Sequence, residues 1–311
     1  MSAEEPTRPG LVEVLIVWGM FGVVTAEVLI AYARLPVHDL YHVSETGLAG
    51  GAGRSLVFVN YPTALVAIGI LVVVAQRLRR RWATVCAVAG AVLCAVVAWP
   101  GVVEQADLDA KPANALAGIG VAIALVLTCV SLVRDGVGGS APFGGWDRVR
   151  IGFAVVLLFA ALPWIAAENG FSLESVPGLG SLYMTSEVFP EPGQPDMLAV
   201  HYGHHHGMDG TLLALTAVVL SRVLPSLRGR GSRVGFGLFL SLMFVYGLTN
   251  AVQDFWYEQL VKRGALEARI PSVIVPALTP AWLAILVAAV LIYFLARFVV
   301  KGGPTRQEGA V

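Results

Sequence analysis

LVFVNYPTALVAIGILVVVAQRLRRR, residues 56–81, sets the architecture. Residues 56–76 are almost wholly apolar. Coiled as a helix rising 1.5 Å per residue, they cross about 30 Å of hydrocarbon. Arg77, Arg79, Arg80 and Arg81 then follow at once. A spanning segment closed by arginines marks its cytoplasmic end, because Lys and Arg are retained on that side.

Working outward, the same pattern recurs. Spans are predicted at roughly 11–33, 56–76, 83–103, 113–133, 151–167, 210–227, 233–253 and 277–299. The chain of 311 residues is 57% hydrophobic and 14% charged, against about 25% charged in a soluble domain. The fold expected is therefore all-α, a polytopic membrane bundle of about eight helices. Trp82 and Trp99 bracket the third span, and Trp256 and Trp282 flank the seventh and eighth, as interfacial tryptophans do. The whole of 1–311 reads as one membrane domain.

Arg8, Arg134, Arg148, Arg150, Arg222, Arg228, Arg230, Arg233, Arg297, Lys301 and Arg306 fall on the same side as the first arginine cluster. The other side receives only Arg34, Arg54, Lys111, Lys262, Arg263 and Arg269. Both termini are thus expected in the cytoplasm. The start, MSAEEPTRPG, is acidic and lacks the basic opening of a signal peptide, so the first span reads as retained. Loops 34–55, 168–209 and 254–276 are placed outside, as a cap over the outer face. A formal net charge of zero offers no argument for nucleic acid. Cys86, Cys94 and Cys129 lie inside apolar runs with no CxxC pair and read as small packing residues.

The outer side also receives every histidine. His201-Tyr-Gly-His204-His205-His206-Gly-Met208-Asp209-Gly210 holds four of the six, and His38 and His42 form an HxxxH pair. Imidazole is a good ligand for zinc, iron or copper. HxxxH puts two rings on one helical face. In HxxHHH a helix lets His201 pair with His204 or His205, while three consecutive rings cannot meet at one point. Asp209, four residues after His205, could ligate a metal or orient a ligand histidine. HExxH, GxSxG and the P-loop pattern are absent. His38, His42, His201, His204, His205 and His206 are accordingly the candidate metal ligands.

Glu27 lies about two turns inside the first span, where a carboxylate needs a partner or an internal cavity. Glu27, Arg34, His38 and His42 approximate one stripe, with Pro36 favouring a break beyond Arg34. Glu168 stands at the outer mouth of the fifth span. Tyr246, Asn250, Gln253 and Asp254 give the seventh a polar face. Arg34, Glu168, Tyr246, Asn250 and Asp254 are the expected lining, and Glu27 and Asp209 the expected proton-handling carboxylates. The glycine-rich 46–54 stretch reads as a turn or a close-packing element. Asn60-Tyr61-Pro62 reads as an internal kink. The 171–200 stretch is compatible with a lid or an ordered loop, and 257–275 with a short interfacial helix weakened by Gly264. Glu104, Asp107 and Asp109 make the second outer loop, between the third and fourth spans, acidic.

These patterns point to a metal-dependent membrane enzyme, a zinc hydrolase or transferase acting on a lipid-like or amphipathic substrate at the outer face of the cytoplasmic membrane. HxxxH (His38, His42) and HxxHH (His201, His204, His205) also resemble two histidine boxes of the membrane fatty-acid desaturase and hydroxylase family. That resemblance implies a di-iron centre, oxygen and an electron donor, with ligands facing the cytoplasm. This chain departs from the family in its predicted side and in having only six histidines, so it carries no family assignment. Copper held by histidines with Met208 is a further redox alternative, and a metal-binding transporter a third class.

Overall fold

A computed structural model describes residues 8–41, 43–45, 47–99, 101–102, 109–140, 142–190, 196–268 and 270–301. Among these the chain is nearly all helical. The long helices are α1 (Val12–Arg34), α2 (Gly47–Asn60), α3 (Pro62–Leu78), α4 (Arg81–Ala95) and α5 (Pro112–Asp135). They continue with α6 (Gly145–Ala160), α7 (Leu162–Glu168), the single turn α8 (Leu179–Leu182), α9 (His206–Leu220), α10 (Arg230–Phe255) and α11 (Pro280–Lys301). One antiparallel pair, β1 (Val188–Phe189) and β2 (Met197–Leu198), lies between α8 and α9. Six helices are long and apolar enough to cross a membrane, or eight spans if α2–α3 and α6–α7 each count as one.

Both bent pairs have the same cause. Pro62 has no N–H to give the Phe58 carbonyl, and its ring crowds that carbonyl. The α2–α3 axis turns by 43°, and the Thr63 hydroxyl donates to Phe58 O at 3.2 Å instead. Pro163 likewise releases the Phe159 carbonyl. The α6–α7 axis turns by 56°, and the Tyr183 hydroxyl donates to Phe159 O at 2.7 Å. Tyr183→Phe leaves that carbonyl without a donor, at an expected cost of about 1–3 kcal/mol. Thermal unfolding in detergent reads it, and an unchanged midpoint would show that the bend does not depend on Tyr183.

Small residues let the helices meet at the backbone. A Cβ at Gly210 would stand 2.4 Å from Gly247 O, and one at Gly247 would stand 2.6 Å from Gly210 O, so α9 and α10 cross through this pair. A Cβ at Gly120 of α5 would strike Cys94 Sγ and Gly90 O of α4. Cys94 is thus a packing residue. Gly51 approaches Leu29 O so closely that a Cβ would lie 2.5 Å away. The glycine-rich stretch therefore belongs to α2, packed on α1, and the outer loop expected over 34–55 shrinks because the helix starts at Gly47.

The outward faces are apolar. Val85, Val88 and Val92 on α4, Val155 and Val156 on α6, and Leu283, Leu286 and Leu291 on α11 are all exposed. Water-soluble proteins do not present such continuous apolar faces.

The two ends of the bundle differ chemically. One end joins the starts of α1, α6 and α10 to the ends of α3, α5 and α9. There Arg222 pairs with Glu13 at 3.0 Å and with Asp147, and Arg150 pairs with Asp147 at 2.9 Å. Buried Arg77 donates to Ser131, Pro9 O, Asp135 O and Gly136 O, stapling three segments. The other end gathers the described histidines and the buried carboxylates Glu168, Asp209 and Glu258.

Candidate metal centre and histidine relay

Each glycine of the His201–Gly210 stretch has a separate steric reason. Gly203 has φ +103°, and a side chain there would strike the Tyr32 hydroxyl. Gly207 lies against the indole of Trp164, 2.2 Å from where a Cβ would stand. Gly210 makes the α10 crossing. His205 is the extended cap residue before α9, with φ −109° and ψ 150°. Helical spacing therefore stops at His206, and consecutive imidazoles leave the chain in different directions.

His204 turns inward. Its Nδ1 lies 2.8 Å from Glu168 Oε1 and its Nε2 lies 2.5 Å from Asp209 Oδ1. Its backbone N–H donates to the Tyr32 hydroxyl at 3.1 Å, and Phe58 meets its ring edge-on at 4.8 Å. Carboxylates accept, so both ring nitrogens donate and His204 is an imidazolium held by charge-assisted bonds. Burial opposes that charge, but Asp209 and Glu168 outweigh it and raise the pKa to about 10. With both nitrogens engaged, His204 has none to offer a metal in this arrangement. Sequence reasoning placed it among the ligands. Its side chain bridges carboxylates from two elements instead.

The carboxylates extend the path. Asp209 Oδ2 lies 3.9 Å from His206 Nδ1. Glu168 is fully buried, and its Oε2 has no partner among the described residues. Glu27 lies within electrostatic range of Glu168 and His204. Glu27, Glu168, His204, Asp209 and His206 thus form a line of titratable groups, buried at Glu168, His204 and Asp209 and partly exposed at Glu27 and His206. His206, with its side chain 21% exposed, is the most accessible member of its Glu168–His204–Asp209–His206 section.

His205 turns the other way, toward the end of α10. Its Nε2 donates to His201 O at 2.7 Å, because a carbonyl only accepts. Its Nδ1 lies 3.0 Å from Glu258 Oε1 and 3.9 Å from Asp254 Oδ2. One ligand atom from each of His205, Asp254 and Glu258 falls within 4.8 Å of the others. Burial disfavours charge on His205, but Glu258, helped by Asp254, raises its pKa all the same. Trp164 donates to Glu258 Oε2 at 2.7 Å, and the Gly207 N–H donates to Asp254 Oδ2 at 2.5 Å. Both carboxylates are therefore aimed by fixed donors.

Glu258 was missed because the sequence reading ended the seventh span before it. The chain instead continues from α10, which ends with Asp254 and Phe255, into a π turn, Trp256–Val261, so that Asp254 and Glu258 both face His205 at the start of α9. The Asp254–Glu258 spacing beside a histidine cluster is the signal that could have found it. The turn ends near Gly264, φ +73°, and of the interfacial helix expected over 257–275 only the π turn to Val261 is helical among the described residues. The π turn also fastens the 171–200 stretch. Gln259 accepts from Met184 N–H at 2.7 Å and donates to Met184 O at 2.8 Å, and Lys262 donates to Ala199 O.

His201 stacks on His205, with centroids 4.1 Å apart, and Tyr41 stacks on His201 at 5.0 Å. Burial, then the neighbouring His205, push the His201 pKa well below its ordinary value. A Leu40–Tyr202 bridge brings the two histidine-bearing stretches side by side. His38 itself points into solvent, 3.2 Å from Asp39. The helix ends at Arg34 and Pro36 restarts the chain in another direction, so the stripe expected beyond Arg34 is broken. His42, Glu104 and Asp107 lie outside the described residues, and Asp109 accepts from Ser44.

The expected lining divides. Arg34 donates to Asn169 O at 2.5 Å, bracing the end of α7. Tyr246 and Tyr61 both donate to Ile274 O, and Asn250 donates to Tyr246 O at 2.9 Å. These three pack the helices rather than reach His205. Met208 is buried in the apolar core.

The fold and site define a helical bundle, apolar outside, with a buried His–carboxylate centre at one end. Comparison with protein-family models, characterised proteins and solved structures gives no match.

The centre makes one steric requirement testable. Gly207→Ala drives a methyl into Trp164, whose indole is tied to Glu258. The expected cost is about 3 kcal/mol of stability, with a shifted tryptophan emission. A variant with wild-type melting and emission would show that the indole has room to move.

Proposed function

We propose that the protein is a metal-dependent membrane enzyme, a zinc hydrolase or transferase acting on a lipid-like or amphipathic substrate at the extracytoplasmic face. The observation that carries this reading is the His205–Asp254–Glu258 group, with His205 Nε2–H held on a backbone carbonyl. Metal-bound histidines are oriented by such a bond from the second nitrogen. A tetrahedral ion about 2.1 Å from each ligand sets ligand atoms about 3.4 Å apart. The 3.0 and 3.9 Å separations bracket that value.

One nitrogen and two carboxylates suit Zn²⁺ or Fe²⁺ better than a soft copper site, and the core position of Met208 argues the same way. When bound, such an ion lowers the pKa of its water and polarises a carbonyl or phosphoryl oxygen. The chain's own part is to aim the ligands through Trp164 and Gly207, and to hold a proton on His204 between Asp209 and Glu168. The apolar exterior and the arginines at the opposite end support a membrane location with the centre outside.

Elemental analysis of the protein purified without added metal tests this. One zinc per chain, lost on chelation together with turnover of an amphipathic ester, is the expected result. Chains that carry no transition metal and take none up at micromolar concentration would end the reading. A second reading, a proton or cation pathway, is favoured by the Glu27–Glu168–His204–Asp209–His206 line, since intramembrane carboxylates and histidines commonly serve transport. Metal-dependent flux in proteoliposomes without product formation would select it.

A further inference from the structure

Arg54 is a buried cation that neither the metal group nor the relay uses. It lies on α2, 5% exposed, with its guanidinium carbon 5.7 Å from the centroid of the Tyr32 ring. Tyr32 is the residue whose hydroxyl receives the His204 N–H. Arg54 is also within electrostatic range of His206. Phe58, one turn along the same face of α2, meets the His204 ring. This face therefore looks onto the relay.

The nearby carboxylates are engaged elsewhere. Glu168 and Asp209 each hold His204 through one oxygen, and neither is paired with Arg54. Among the described residues Arg54 forms no ion pair, and its buried Nε has no hydrogen-bond partner. A guanidinium taken out of water costs several kcal/mol unless an anion offsets it. Its planar fork matches the paired oxygens of a phosphate or carboxylate. Phosphate is the anionic group that most membrane amphiphiles share. Leu48 and Leu56 on the outward side of α2 are exposed, which provides an apolar flank for a hydrocarbon tail.

We propose that Arg54 binds the phosphate group of a ligand seated beside His206 and Tyr32. That this ligand is the substrate rests on the enzyme reading above, whereas the phosphate site does not require a metal at His205. The test uses the full chain in neutral detergent with two probes, inorganic phosphate and phosphatidic acid, and with diacylglycerol, which lacks phosphate, as reference. Binding is followed by native mass spectrometry and by the apparent unfolding temperature.

The wild type is expected to bind a phosphate probe, and Arg54→Gln to weaken it at least about tenfold, the loss of one charge-assisted pair. Arg54→Lys, which keeps the charge and loses the fork, falls between them and covers the case of a Gln variant that does not fold. Protection by inorganic phosphate assigns a free phosphate, and protection by phosphatidic acid alone assigns a lipid headgroup. Chelator-treated protein keeps the response, so loss of metal and loss of phosphate binding are read apart. Undiminished binding by both Arg54 variants, no binding of either probe by the wild type, or binding that disappears with the metal would each overturn the assignment.

Discussion

Glu258→Gln is expected to lower metal affinity more than about 100-fold, enough to leave the purified protein almost metal-free. Removing an outer-shell partner already costs 10–100-fold, and Glu258 is the carboxylate nearest His205 Nδ1, at 3.0 Å. The amide keeps the shape and can still accept from Trp164 Nε1, so folding should survive while the charge is lost. His205→Ala removes the nitrogen and should match it. His38→Ala, at a solvent-exposed ring next to Asp39, should leave metal content unchanged. The contrast is diagnostic, because the histidine pattern alone ranks His38 beside His205. Equal metal loss in His38→Ala and Glu258→Gln would mean that the outer stretch closes over the ion, and that the centre is not the His205 group.

His204→Ala should be the most destabilising single change in the centre, by about 3–5 kcal/mol. Breaking a buried ion pair leaves its partners uncompensated, and here two partners are left, Glu168 and Asp209. Glu168 is fully buried with one oxygen already lacking a partner, so it cannot reach water. Neutralising it should restore part of the loss, and His204→Ala/Glu168→Gln is expected to unfold at a higher temperature than His204→Ala. That rescue separates a charge relay from a simple cavity, since filling volume would not favour the double variant. If the double variant is less stable still, His204 contributes by packing against Phe58 and not by neutralising acids.

How much of this was legible in advance follows from what each residue has to satisfy. The apolar runs and their arginine ends determine the helices, because a long uncharged segment leaves little choice but to satisfy its own backbone as a helix. Pro62 announces the α2–α3 bend, whereas the bend at Pro163 was not anticipated within the span read over 151–167. Glu27 and Glu168 are conspicuous as carboxylates in apolar surroundings; Glu168 pairs with His204, and Glu27 lies within electrostatic range of that pair. The finer assignments failed wherever helical spacing was carried past a helix end. His205 and Asp209 are four apart, yet the extended cap at His205 and the φ of Gly203 send their side chains to different partners. By contrast, Glu27, Arg34 and His38 are spaced as a stripe, and the break that Pro36 favours beyond Arg34 is where the chain turns away.

By itself the sequence determined an all-helical, outwardly apolar bundle with basic residues at one end and histidines with acids at the other. Composition and charge order act at every residue and need no knowledge of neighbours in space. Only the tertiary structure decided that His204 is clasped by two carboxylates, that His205 faces Asp254 and Glu258, and that Arg54 is buried without an acid. Those outcomes depend on the approach of α9 to α10 at Gly210 and Gly247, on Trp164 lying over Gly207, and on a π turn that carries Glu258 past the end of its helix. Direction at a cap and contact between distant helices are set by packing, and no local spacing rule encodes them.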